Sequence, residues 1–352
     1  MPADLSQAVV VAGIPFLRSG REELAAAARE RLEAGDEDGA LALLLCDRDD
    51  WARGPGPTEE DARNAIAAPT LREAMAALRF GPVGDYFAFR WSDPTYLSGL
   101  ALLDAHAGGA ERVFELACGI GHFLRELTSR GVAATGADVV FAKCWLARRF
   151  VAPDARYACL DAASPLPWAD DAFDLAFCHD ALHYLPDKAS VCGELARVAG
   201  GRVVIGHAHN ALVENLSPGD PLDPAGYRDL LDPGALLFDD DELAAAVLTG
   251  GRAEPRAPEA LAAAEAVGVV TGATRPAGAC FRVPPAGAAL RRNPLLAADG
   301  AVAFPSERYA TEYGPRSGYL RGHPDVPATA TMGPEVEPLA RSRALVDLPE
   351  AW

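Results

Sequence analysis

Between residues 112 and 206, short apolar runs and helix-forming stretches alternate, and this restricts the fold more than anything else in the chain. The runs are Arg112–Cys118, Val132–Ala137, Arg156–Leu160, Phe173–Cys178 and Gly201–Gly206. Helix-forming stretches over about 122–129, 142–150 and 188–198 separate them. Apolar runs of this length, alternating with helices, predict strands of a parallel sheet covered on both faces, an α/β doubly wound architecture.

Composition sets the limits around that core. At 352 residues the chain is long enough for about two domains, or one with large additions. The formal charge of −18 repels polyphosphates, and no basic stripe stands against it, so no nucleic-acid partner is expected. Of the 32 basic residues only Lys143 and Lys188 are lysine. Seven cysteines, an odd count without a C-x-x-C pair, argue against a disulfide framework or a zinc knuckle and point to a cytoplasmic chain. The apolar stretch Ala8–Leu17 is broken by Gly13 and Pro15 and is too short to span a membrane. It follows Asp4 and no basic segment, so neither a membrane partner nor a signal peptide is expected.

The flanks read differently. Residues 1–80 read as a helical region, a lid or an interface, with helices over Arg21–Ala34, Asp38–Leu45, from Thr58, and Thr70–Leu78. Residues 81–285 form the core. In it, Ser217–Gly234 reads as a loop, and Phe238–Glu242 opens a helix that its own acidic run caps. Val267–Thr271 and Cys280–Val283 are expected to complete the sheet. Residues 286–352 are an extension rich in Pro and Gly.

The first run ends in Glu115-Leu116-Ala117-Cys118-Gly119-Ile120-Gly121. Glycine at a strand-to-helix turn lets the backbone approach a ligand, at which the next helix aims its N-terminus. Asp138, nineteen residues after Gly119, ends the second run and can accept both hydroxyls of a ribose. Asp161 ends the third and is placed to bond an adenine amino group. A nicotinamide dinucleotide site fits worse: Leu124 stands at its third glycine, and Glu115 would repel a pyrophosphate while suiting a ligand with an ammonium group.

These residues resemble the class I S-adenosylmethionine-dependent methyltransferases over about 110–207. Glu115 through Gly121 is similar to the family's first motif, with Ala117 in place of its first glycine. Asp138 with Val139 matches its ribose-binding position and Asp161-Ala162 its adenine-contacting pair. The stretches Pro165–Asp174 and Cys178–Pro186 are similar to those around the family's fourth strand. The resemblance implies a seven-stranded, mostly parallel Rossmann-like sheet and S-adenosyl-L-methionine as cofactor. It places Glu115, Ala117, Cys118, Gly119, Gly121, Asp138, Val139, Asp161, Ala162 and Cys178 at the cofactor. Arg90, in the aromatic segment Gly81–Tyr96, or Tyr86 meets the methionine carboxylate; a helix packing Phe87 and Trp91 on the core is the competing reading.

Methyl transfer from a sulfonium is an in-line displacement that needs mainly alignment and exclusion of water. A base is needed only for an un-ionised acceptor. His179, Asp180 and His183 are the candidates for a base or for acceptor positioning. Tyr184 and His207 line the acceptor with them, and His209 stands on the same rim. His179 and His183 also have i,i+4 ligand spacing, but no metal is expected. In the extension, Arg308, Tyr309, Tyr313 and Arg316 either cap the acceptor pocket or hold another part of the chain or a partner subunit in a homodimer. The expected activity is methylation of a small-molecule acceptor, as in secondary metabolism. The alternative is a methyltransferase-like, cofactor-binding protein that acts as a subunit or catalyses a non-methylating reaction.

Overall fold

The structure, a computed structural model, describes residues 8–49, 52, 54–215, 219–272, 275–278, 280–323 and 325–352. The chain begins with a hairpin, β1 (Val9–Val11) and β2 (Ile14–Phe16), which four helices follow: α1 (Glu22–Glu33), α2 (Glu37–Leu45), α3 (Glu59–Ala67) and α4 (Leu71–Ala77). Asp36, Thr58 and Thr70 each accept a backbone N–H at the start of α2, α3 and α4, which satisfies donors the helix leaves open. Next come α5 (Pro82–Phe89), a 3-10 turn at Arg90–Ser92, and α6 (Pro94–His106).

The alternating core is β3 (Arg112–Leu116), α7 (His122–Thr128), β4 (Ala133–Asp138), α8 (Phe141–Leu146), β5 (Arg156–Cys159), β6 (Leu175–His179), α9 (Lys188–Val198) and β7 (Val203–His209). After it run α10 (Pro224–Leu231), β8 (Leu236–Asp239), α11 (Asp240–Thr249) and β9 (Ala266–Val270). The extension holds β10 (Ala289–Arg292), α12 (Glu307–Tyr313), β11 (Thr329–Thr331), α13 (Glu337–Arg341) and β12 (Leu345–Val346), with a small antiparallel sheet in the order β11-β10-β12. No helix among the described residues is long and apolar enough to cross a membrane.

The main sheet runs β1-β2-β5-β4-β3-β6-β7-β9-β8. β2 to β7 pair in parallel, whereas β9 is antiparallel to both β7 and β8. The expected doubly wound, mostly parallel sheet is therefore present, widened by a hairpin at one edge. That hairpin corrects the helical reading of residues 1–80. Val9, Val11, Ile14 and Phe16 are buried, and Ala12 and Gly13 have φ of 49° and 71°, the left-handed pair a two-residue hairpin turn needs.

The last strands need a second correction. Cys280–Val283 is not a strand; Pro284 and Pro285 follow it and cannot donate to a ladder. Its place goes to Leu236–Asp239, where Leu237 and Phe238 are buried against β9. The expected loop from Ser217 contains α10, capped by Asp223 with Pro224 in its first turn; Ser217 itself lies outside the described residues.

Side chains alternate across the sheet with period two. Val113, Leu175 and Phe177 join one buried cluster, with α6, α7 and the N-terminal helices. Phe114, Leu116, Ala176 and Cys178 join the other, with α9. Glu115 and His179 therefore fall on the face that the N-terminal helices cover, at the carboxyl ends of β3 and β6.

Candidate active site

The glycine turn after β3 is left-handed at three positions, Ala117, Gly119 and Gly121, with φ of 55°, 54° and 81°. A side chain at Gly119 would come within 3.0 Å of the Phe87 ring, which α5 lays over the turn. Gly119 donates its N–H to Asp138 Oδ2 at 3.0 Å, and Val140 donates to Oδ1 at 2.9 Å. Lys143 Nζ stands 3.4 Å from the same Oδ1. Asp138 thus braces the turn from the neighbouring strand and keeps further lone pairs for ribose hydroxyls. Cys118 turns its thiol toward Gly136, so only its backbone faces the turn.

Glu115 Oε2 is buried without a hydrogen-bond partner. Burial, with Asp138 adding to it and Arg90 opposing, pushes this carboxyl up to about 8. An acid with one oxygen left unpartnered beside a glycine cradle is the donor set that an ammonium-bearing nucleoside fits.

Four other residues expected at the cofactor have protein partners of their own. Asp161 Oδ2 accepts from Ser19 N at 2.6 Å and Ser19 Oγ at 2.9 Å, with Arg18 Nε at 3.8 Å from Oδ1. It ties the hairpin's exit to the sheet, an engagement the sequence could not reveal because the partner lies 142 residues away. Cys178 alternates to the opposite face from Glu115 and His179, a buried thiol pushed up by its burial. Ala162 packs partly buried on that same side, and the Val139 carbonyl accepts from Cys159 Sγ at 3.4 Å.

β6 and β7 are neighbours, with His179 opposite Gly206, and their carboxyl ends bring the expected rim together. The His179 ring fills a slot between Gly99 and Gly206, where added Cβ atoms would lie 2.9 and 2.3 Å from its Cδ2. Arg90 Nη2 lies 2.9 Å from His179 Nδ1 and Arg90 Nη1 donates to Asp180 Oδ2 at 3.1 Å. Since arginine only donates, Nδ1 accepts and the His179 proton sits on Nε2. Burial, with Arg90 beside it, holds that ring well below its ordinary pKa. Tyr86 also donates to Asp180 Oδ2, at 2.6 Å. Arg90 is thus engaged by His179 and Asp180.

A bulge in β7 between Ile205 and Ala208 redirects its end. His207 there has φ 48°, and Asp180 has φ 55°; such strain in residues with a side chain gathers at functional sites. His207 Nδ1 lies 2.8 Å from Asp240 Oδ2. Burial lowers the His207 pKa, but Asp240 outweighs it and the ring ends above its ordinary value. His209 Nε2 is 4.0 Å from Asp180 Oδ1, and the His183 ring stacks on His209 at 3.8 Å between centroids. Neither His183 nitrogen has a hydrogen-bond partner. Burial and then His209 push His183 down to about 3, and burial and then His207 push His209 down to about 4.

Of the expected acceptor residues, Tyr184 packs on His183 at 4.2 Å. Tyr313 lies 6.2 Å from the Tyr86 ring and Tyr309 4.7 Å from Tyr313, so α12 leans on α5. Arg316 reaches the rim but is neutralised there, 3.0 Å from Asp240, 2.6 Å from Asp241 and 3.2 Å from Glu265. Arg308 is not at the rim: its side chain is 61% exposed and pairs with Glu312 along α12. Asp240 was missed. The acidic run read as a cap, and Asp239 does cap α11, but Asp240 falls on the buried stripe with Leu243, Ala244 and Val247. An acid in register with an apolar stripe was the available signal.

Residues 114–205 match the family model of a methyltransferase domain. Solved structures similar to the chain include the [4+2]-cyclase SpnF, at 21% identity over 50% of this chain and 79% of that one, TM-score 0.36. A TehB-like S-adenosylmethionine-dependent methyltransferase from Corynebacterium glutamicum is 16% identical over 55% and 100%, TM-score 0.38. A Haemonchus contortus phosphoethanolamine N-methyltransferase, solved with phosphomonomethylethanolamine and S-adenosylhomocysteine, is 13% identical over 58% and 60%, TM-score 0.40. The domain match spans β3 to β7, the segment in which Glu115, the glycine turn and Asp138 lie around one cradle, so this part of the chain is similar to a methyltransferase domain.

Proposed function

We propose that the chain methylates a small-molecule acceptor bound at the rim of β6 and β7, beneath α5 and α12. One observation carries this reading. His179, His183, His207 and His209 converge there, and each is at most 5% exposed. A macromolecular acceptor does not reach groups so deeply covered, whereas a small molecule enters when α5 moves. The charge of −18 supports the same class by disfavouring nucleic acid.

The bound donor supplies a methyl group on a sulfonium, already joined to a good leaving group. Glu115 receives the donor's ammonium, Asp138 its ribose, and the backbone from Ala117 to Gly121 lies along it. Tyr86 and Arg90 fix Asp180, and Arg90 fixes the His179 tautomer, so the rim's polar groups are oriented before the acceptor arrives. His183, neutral and unpartnered, accepts a hydrogen bond from the acceptor. Phe87 and Trp91 close the apolar side and exclude water.

The test is transfer of labelled methyl from S-adenosylmethionine to a panel of small alcohols, amines and carboxylic acids, with transfer RNA and unfolded protein in parallel. Label is expected in small molecules only, reduced tenfold or more by His183→Ala with donor affinity unchanged. Label in RNA or protein overturns the reading. Tight donor binding with no transfer to any small acceptor leaves the non-methylating alternative.

A further inference from the structure

Three side chains at the rim hold atoms close together without bonding one another. Asp180, His207 and His209 each offer one ligand atom, and these atoms all lie within 4.8 Å of each other. His209 Nε2 and Asp180 Oδ1 stop at 4.0 Å, beyond hydrogen-bond distance. Ligands of a tetrahedral zinc ion stand about 3.4 Å apart, so shifts of roughly 0.7 Å per ligand atom close the set. We propose that Asp180, His207 and His209 form a site for one divalent transition-metal ion of the zinc or iron(II) class.

The surroundings prepare each ligand. His207 gives Nδ1 to Asp240 at 2.8 Å, which leaves Nε2 for the ion in the carboxylate–histidine–metal arrangement. Tyr86 and Arg90 occupy Asp180 Oδ2, so Oδ1 stays free and aimed at His209. His183, buried and unpartnered at both nitrogens, stacks on His209 and stays outside the ligand set. Two imidazoles and one carboxylate suit zinc or iron(II) better than magnesium or calcium. Arg90 and Arg316 face the site as positive charges, but each is matched by a carboxylate, Asp180 and Asp240. The ion's open positions take an oxygen of the acceptor, a role that rests on the acceptor reading above; ion binding itself does not.

The experiment is titration of the chelator-stripped full chain with zinc by calorimetry and with cobalt(II) by visible absorption. One ion per chain with micromolar or tighter affinity is expected. His207→Ala and His209→Ala are expected to weaken it at least 100-fold, and Asp240→Asn, which keeps all three ligands, 10- to 100-fold. His323→Ala, remote from the rim, leaves it unchanged. Where an alanine variant fails to fold, Asp240→Asn decides. No stoichiometric binding, or wild-type affinity in His207→Ala and His209→Ala, overturns the site. Methyl transfer by a metal-free chain counts against the ion's role at the acceptor and leaves the site standing; a bound ion without transfer to any small acceptor counts against the acceptor reading alone.

Discussion

Glu115 shows how burying one ionisable side chain makes folding depend on pH. Its carboxyl is pushed up to about 8 by burial, from an ordinary value of 4.5. Between these values the folded chain keeps a proton that the unfolded chain has released. Stability therefore falls as pH rises from about 4.5 to 8 and levels off above, at about 1.4 kcal/mol per pH unit. Glu115→Gln removes the effect. In urea denaturation the variant should match the parent near pH 5 and exceed it by about 3 kcal/mol at pH 7. A variant less stable at both pH values would show instead that Glu115 is ionised and held by Arg90. The family resemblance reached this residue because its position before the glycines is local in sequence. Its missing partner was not legible, since that depends on what α5 and α6 lay over it.

Among the elements, α5 and the turn after it control the site. Phe87 covers the glycine turn, Tyr86 and Arg90 hold Asp180, and Tyr313 of α12 packs beside Tyr86. Tyr86→Phe removes one hydrogen bond to a carboxylate that Arg90 still partners, which costs about 1–2 kcal/mol. Amide exchange over Val83–Phe89 should accelerate about tenfold while that of β3 stays slow. Unchanged protection of α5 would mean that Tyr86 does not latch it. The sequence showed the strands of the core clearly because apolar runs, glycine turns and acids recur there at short range. It hid the hairpin: Val9–Phe16 is short and pairs with Cys159 far along the chain. Cys280–Val283 misled for a related reason: Phe281 lies under Arg130 and Arg282 pairs with Asp104 of α6, so the segment packs on helices rather than into a ladder. Arg90, Asp161 and Arg316 were each found as candidates, but the acids and hydroxyls that occupy them come from distant segments.

Over the whole molecule, the final eight residues tie four elements together. Leu345 and Val346 pair with β10, and Asp347 takes two hydrogen bonds from Arg125 of α7 at 2.8 and 2.7 Å. Ala351 accepts from Leu71 at 2.7 Å, and Trp352 Nε1 donates to Ala88 of α5 at 2.7 Å. Removing residues 345–352 strands Arg125 and frees the far end of α5, a loss of about 3 kcal/mol or more. The truncated chain should melt at least about 5 °C lower; an unchanged melting temperature would show that the segment only rests on the surface. The cation composition bears on the same site from another direction. Lys143 and Lys188 are the only lysines, and Lys143 stands beside Asp138 at the glycine turn. An acylating reagent therefore meets two side-chain amines, one of them beside the glycine turn. Mass-mapped acylation of Lys143 should fall several-fold when S-adenosylhomocysteine is added while that of Lys188 stays constant, so an ordinary labelling reagent becomes a gauge of donor occupancy.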